Sequence, residues 1–151
     1  MNILNRNDIV GKKVIAVHTS EWIFEEDGYT FCHYTYITLE TGVVFSLGYV
    51  DVEKDFPPII DIAQESYARV AFEACHPQFY IGKEILELIV NEFGYQGILL
   101  EDGSIIYWDM IGITIYGPMI TSLKDVEWEN FVPYWSEHDF CNPITWQSIF
   151  S

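Results

Sequence analysis

Positive charge is what this sequence has least of. Its 151 residues hold seven Lys and Arg against 23 Asp and Glu, a formal charge of -16. A field of that sign repels nucleic acid and anionic membrane, and it accelerates encounter with basic partners. Cysteine is scarce too. Cys32, Cys75 and Cys141 are too few and too scattered for a disulfide framework, which fits a reducing compartment. The N-terminal MNILNRNDIVGKK has no apolar h-region, so no secretory signal is read there and a cytoplasmic location is expected. Long apolar runs are missing as well. MIGITIYGPMITSL, residues 110–123, is too short and too broken by Gly112, Gly117 and Pro118 to span a bilayer, so no membrane association is expected.

Familiar catalytic signatures are also absent. There is no Walker loop, dinucleotide fingerprint, G-x-S-x-G or H-E-x-x-H, and a non-enzyme is expected. Cys75-His76 sets a thiol beside an imidazole, but adjacent residues point apart, so a structural role at a helix end is the reading adopted. A histidine lies near each cysteine, at Cys32-His33, Cys75-His76 and His138-x-x-Cys141. Only the last pair approaches zinc-ligand spacing, and no metal or other cofactor is expected. Glu25-Glu26-Asp27-Gly28 is too compact for a calcium loop and reads as an exposed hairpin tip.

What is present is an apolar fraction of 50%, enough for one globular domain over residues 1–151 with its charge on the surface. That charge is uneven. Residues 1–20 carry a net +2, residues 21–61 a net -8, and residues 125–151 five acids and no base. In the last stretch DVEWENFVPYWSEHDF, residues 125–140, interleaves five carboxylates with five large aromatics. It reads as part of an acidic aromatic segment, 125–151, packed on the domain. Val126 and Trp128 alternate with Glu127 and Glu129 as in a half-buried strand, whereas Ser122-x-x-Asp125 would cap a short helix ending before Pro133.

Strands are expected at 12–18, 29–40, 43–50, 97–110 (a hairpin turning at Gly103) and 112–117, with Gly42 turning the 29–50 pair. Leu39-Glu40-Thr41-Gly42-Val43-Val44 and Leu100-Glu101-Asp102-Gly103-Ser104-Ile105 share one hairpin grammar. The spacing of Ile81, Ile85, Leu88, Ile89 and Phe93 predicts a helix over 81–94 capped by Gly94, and a second helix is predicted over about 59–74. The fold class expected is therefore α+β, an antiparallel sheet built from hairpins with one or two helices packed on one face.

In size, charge, lack of a signal and lack of active-site motifs, the whole chain resembles the small acidic α+β immunity proteins of bacterial contact-dependent and polymorphic toxin systems. The likeness is one of class, and no family residue is carried over. It implies binding and neutralisation of a cognate basic toxin domain, commonly a nuclease, by occlusion, with no direct binding of nucleic acid. The carriers expected are Glu25, Glu26 and Asp27 at the first tip and Glu127, Trp128, Glu129, Trp135 and Asp139 in the tail, because aromatics supply desolvated anchors while carboxylates steer a basic surface. Two alternatives are a phage-type inhibitor mimicking nucleic acid, with carboxylates spaced like phosphates along an edge, and a small enzyme with a Cys/His or carboxylate site.

Overall fold

A computed structural model describes residues 2–24, 29–62, 71–73, 80–109, 112–116 and 131–135. Across these the chain is built from strands. A four-stranded antiparallel sheet has the order β4 (Val44–Leu47), β3 (Tyr29–Leu39), β2 (Val14–Phe24), β6 (Ala71–Glu73). A five-stranded antiparallel sheet has the order β10 (Gly112–Tyr116), β9 (Ile105–Asp109), β8 (Gln96–Leu100), β7 (Ile85–Asn91), β11 (Phe131–Pro133). β1 (Asn2–Leu4) pairs with β5 (Ile59–Asp61). The α+β expectation is overturned, because the helix found among the described residues is the four-residue α1 (Arg6–Ile9).

Both helix expectations fall on strands. Within 81–94 lies β7, and within 59–74 lie β5 and β6, with residues 63–70 outside those described. The 81–94 error has a physical cause. Leu88 and Ile89 are both buried, although adjacent residues of a strand point to opposite faces. β7 is thus covered on both faces over its second half and, with Glu87 as its one charged residue, lacks a strand's alternation, so its apolar residues satisfy a helical period as easily as a strand one. The outer members of the supposed stripe, Ile81 and Phe93, are exposed. Gly94 does have a positive φ, of 87°, but it serves a hairpin turn and not a helix cap.

The expected hairpins are found. Thr38 pairs with Val44 across the β3–β4 turn and Leu99 with Ile105 across the β8–β9 turn. In the first, Leu39 N–H donates to Val43 O at 2.8 Å and Gly42 N–H to Leu39 O at 2.9 Å. In the second, Leu100 donates to Ser104 O at 2.8 Å and Gly103 to Leu100 O at 3.0 Å. The β7–β8 turn repeats the pattern: Asn91 donates to Tyr95 O and Gly94 to Asn91 O, both at 3.0 Å. Three hairpins therefore share an x-Glu-x-Gly-x turn whose glycine occupies the left-handed region.

One core lies between the two larger sheets. Val17, Ile37, Leu39, Phe45 and Leu47 from one join Leu88, Val90, Ile98, Leu100 and Ile106 from the other. The sheets are also joined along their margins. At the start of β7, Val14 N–H donates to Lys83 O and Ile85 N–H to Lys12 O, both at 2.9 Å. Near its end, Tyr49 forms an antiparallel bridge with Tyr95. β11 closes the edge of the larger sheet against β7, where Pro133 is tolerated because an edge strand does not need every N–H. Of the stretch read as either a half-buried strand or a short helix ending before Pro133, residues 131–133 are strand, and residues 122–130 lie outside those described.

Candidate functional site

The two ends of β7 differ electrically. Around its start, residues 6–13 meet residues 82–87, and Glu40 and Glu101 are hydrogen-bonded in. Here Arg6, Lys12, Lys13 and Lys83 interleave with Asp8, Glu40, Glu84, Glu87, Glu101 and Asp102. Arg6 forms a salt bridge to Glu87 at 3.0 Å and Lys83 one to Asp102. Burial alone would push the Asp102 carboxyl up, but hydrogen bonds from Lys83 and Ser104 outweigh it and hold the group below its ordinary 3.8. Four cations against six acids leave this end partly balanced, at a net -2.

At the other end, about 20 Å away by the rise of a seven-residue strand, the balance is lost. Loop 48–58 leaves β4 and carries Asp51, Glu53, Lys54 and Asp55, all exposed, and the β7–β8 turn adds exposed Glu92. Asp51 and Lys54 approach to 3.9 Å, both well exposed, a pair worth little. Four carboxylates thus face one cation. Between them stand Tyr49 at 62% exposure and Phe93 at 58%.

These aromatics are fixed in place. Asn91, nearly buried, accepts through Oδ1 from the N–H of Phe93 at 3.0 Å and of Tyr95 at 2.9 Å, so one side chain rigidifies the whole turn. Val50 N–H donates to Gly94 O at 2.8 Å, and Gln96 exchanges two bonds with Gly48, its N–H to Gly48 O at 3.1 Å and its Oε1 accepting from Gly48 N at 2.9 Å. The loop therefore lies directly on the turn. A Cβ on Gly94 would stand 1.9 Å from Val50 O and 3.2 Å from the Tyr49 ring. Only glycine lets the two segments meet. Phe93 lies 6.0 Å from Tyr95 between ring centroids, and Tyr95 packs edge-on to Trp108 at 5.2 Å, which ties the exposed ring to the core.

The far end of the loop is anchored as firmly. Tyr134, buried just after β11, donates its hydroxyl to Pro57 O at 2.6 Å and stacks on Phe56 at 4.9 Å. Burial pushes its phenol from an ordinary 10.0 up to about 12, against a hydrogen bond to Gln96 that works the other way. A phenol whose folded pKa is raised contributes stability that is complete below the unfolded value and is lost as pH rises from about 10 to about 12. Tyr134→Phe is accordingly expected to lower stability by about 1 kcal/mol at neutral pH. Denaturant titrations should show the gap between the two proteins closing across that alkaline window. A gap that stays constant there would contradict this role.

Of the residues singled out from sequence, Glu25, Glu26, Asp27, Glu127, Trp128, Glu129 and Asp139 lie outside the described residues, as do Cys75, His76, His138 and Cys141. Trp135 is described. It is half-buried, packed against the core and edge-on to Tyr134 at 5.8 Å, so it braces the loop anchor as well as offering a surface. Among the described residues no group of three or more His, Cys, Asp or Glu could hold a metal ion, and no helix is long and apolar enough to cross a membrane. Sequence reading missed Tyr49, Phe93, Asp51, Glu53 and Glu92 as a set. One signal was available. At the tip position where the sister turns carry Thr41 and Asp102, this turn carries Phe93, an apolar ring set where solvent is expected. Comparison with known protein families, with curated proteins and with solved structures found no match.

Proposed function

We propose that this is an immunity protein, which binds a cognate basic toxin domain of nuclease type and neutralises it by steric and electrostatic occlusion. The observation that carries the reading is the end of the sandwich where exposed Tyr49 and Phe93, held by Asn91 and Gly94, stand among Asp51, Glu53, Asp55 and Glu92. An interface of this kind combines desolvated aromatic anchors with charges that guide a basic surface into register. The chain's charge of -16 adds long-range attraction to the same partner. A nucleic-acid mimic fits this end less well, because exposed rings share its two segments with the carboxylates, where a mimic needs an even series of anions.

The experiment is co-expression with the variable C-terminal domain of a large secreted protein encoded immediately upstream. The expected outcome is a stable complex on purification, together with survival of cells that the toxin alone kills. Absence of a complex, with no protection by this protein, would contradict the proposal.

A further inference from the structure

We infer that the partner meets this end of the molecule with arginine side chains, one stacked on each of Tyr49 and Phe93. The inference rests on the reading above and adds the chemistry of recognition. Two requirements coincide at the site. The exposed rings offer flat apolar faces, and beside them in sequence stand the exposed carboxylates of Glu92, next to Phe93, and Asp51, two residues beyond Tyr49 and held only loosely by the exposed Lys54 at 3.9 Å.

A neutral apolar surface would satisfy the rings but desolvate these carboxylates without supplying a cation, which is unfavourable. A second copy of this chain would bring like charges together at the same face. Lysine would satisfy the carboxylates, but its ammonium is compact and strongly hydrated and covers a ring poorly. The guanidinium is planar and weakly hydrated. It stacks on an aromatic face while its edge donates a forked pair of hydrogen bonds to a carboxylate.

Rigidity strengthens the case. Phe93 and Tyr95 hang from Asn91 through their N–H groups, and Tyr49 lies over the bare Cα of Gly94. The rings are therefore already in position, and little ordering remains to be done on binding.

The test uses the full chain and two blocked six-residue peptides, one of arginine and one of lysine, titrated calorimetrically at low ionic strength. Bulk electrostatics treats the peptides alike, and forked pairing with carboxylates is open to arginine with or without the rings, so the part of the difference that disappears when the rings are removed reports ring contact. The arginine peptide is expected to bind about fivefold or more tightly than the lysine peptide, the scale of two exposed cation–π contacts. In the double variant Tyr49→Leu with Phe93→Leu, which keeps apolar side chains on the surface, the preference should collapse towards unity with an unchanged thermal melt. Equal affinities for the two peptides in the wild type, or a preference that survives in the double variant, would overturn the inference. The outcomes separate the two proposals. Toxin neutralisation without arginine preference leaves the immunity reading standing, and arginine preference without neutralisation leaves only the surface chemistry.

Discussion

Gly94→Ala is expected to destabilise the protein by about 3 kcal/mol or more. Two penalties combine. At φ 87° an L-residue is strained by about 1–2 kcal/mol. The added Cβ would also stand 1.9 Å from Val50 O, a backbone atom that cannot swing aside as a flexible side chain would. Retreat of the loop would sacrifice the Val50–Gly94 bond and strain the two bonds between Gly48 and Gln96, each worth about 1 kcal/mol. Gly42 supplies the control. It has φ 90° in a turn of the same pattern, yet nothing lies within 4 Å of its missing Cβ. Gly42→Ala should therefore show the conformational strain alone, about 1–2 kcal/mol. Urea denaturation of the two variants separates the effects. Equal losses would show that loop 48–58 does not bear on the turn as described.

The comparison between these glycines also shows how far the fold was legible. Hairpins at 29–50 and 97–110 were readable because turn chemistry is local: a glycine after a polar pair, with β-branched and aromatic residues on both sides. The same grammar stands at Asn91-Glu92-Phe93-Gly94-Tyr95, but the flanking ILELIVN hid it. A strand covered on both faces loses its alternation. Its apolar residues then match a helical stripe by coincidence, and a left-handed glycine closes a helix as readily as a hairpin. Whether such a run is strand or helix is decided by what it pairs with, here β8 along one edge and β11 along the other, and β11 comes from a distant part of the chain.

The candidate site was legible in kind and not in place. Acidic charge mixed with exposed aromatics was evident from composition, and the tail 125–140 was the densest example along the chain. Tyr49 and Phe93 are 44 positions apart, and it is the Tyr49–Tyr95 bridge with the Val50–Gly94 and Gly48–Gln96 bonds that brings their segments together. Trp135, read as an anchor for a partner, proves to be also a brace for Tyr134, which holds the loop through Pro57. A loss of binding in Trp135→Ala would therefore mix surface and support.

The central claim is that the acid end of β7, and not net charge as such, receives a basic partner. Opposite ends of β7 are about 20 Å apart, more than twice the distance over which physiological salt screens exposed charges. The four cations at one end consequently do little to offset the carboxylates at the other. Two triple variants remove the same three negative charges from different ends: Asp51→Asn with Glu53→Gln and Glu92→Gln, and Glu40→Gln with Glu84→Gln and Glu101→Gln. The amides keep hydrogen-bond acceptors where the carboxylates accept from backbone N–H groups, as at Asp51, Glu40 and Glu101. The deciding measurement is the stopped-flow association rate with the basic toxin domain across a range of salt concentrations. The first variant is expected to associate about tenfold more slowly at low salt, with a visibly shallower salt dependence, and the second to stay within about twofold of wild type. Equal slowing in the two variants, or none in the first, would contradict the claim.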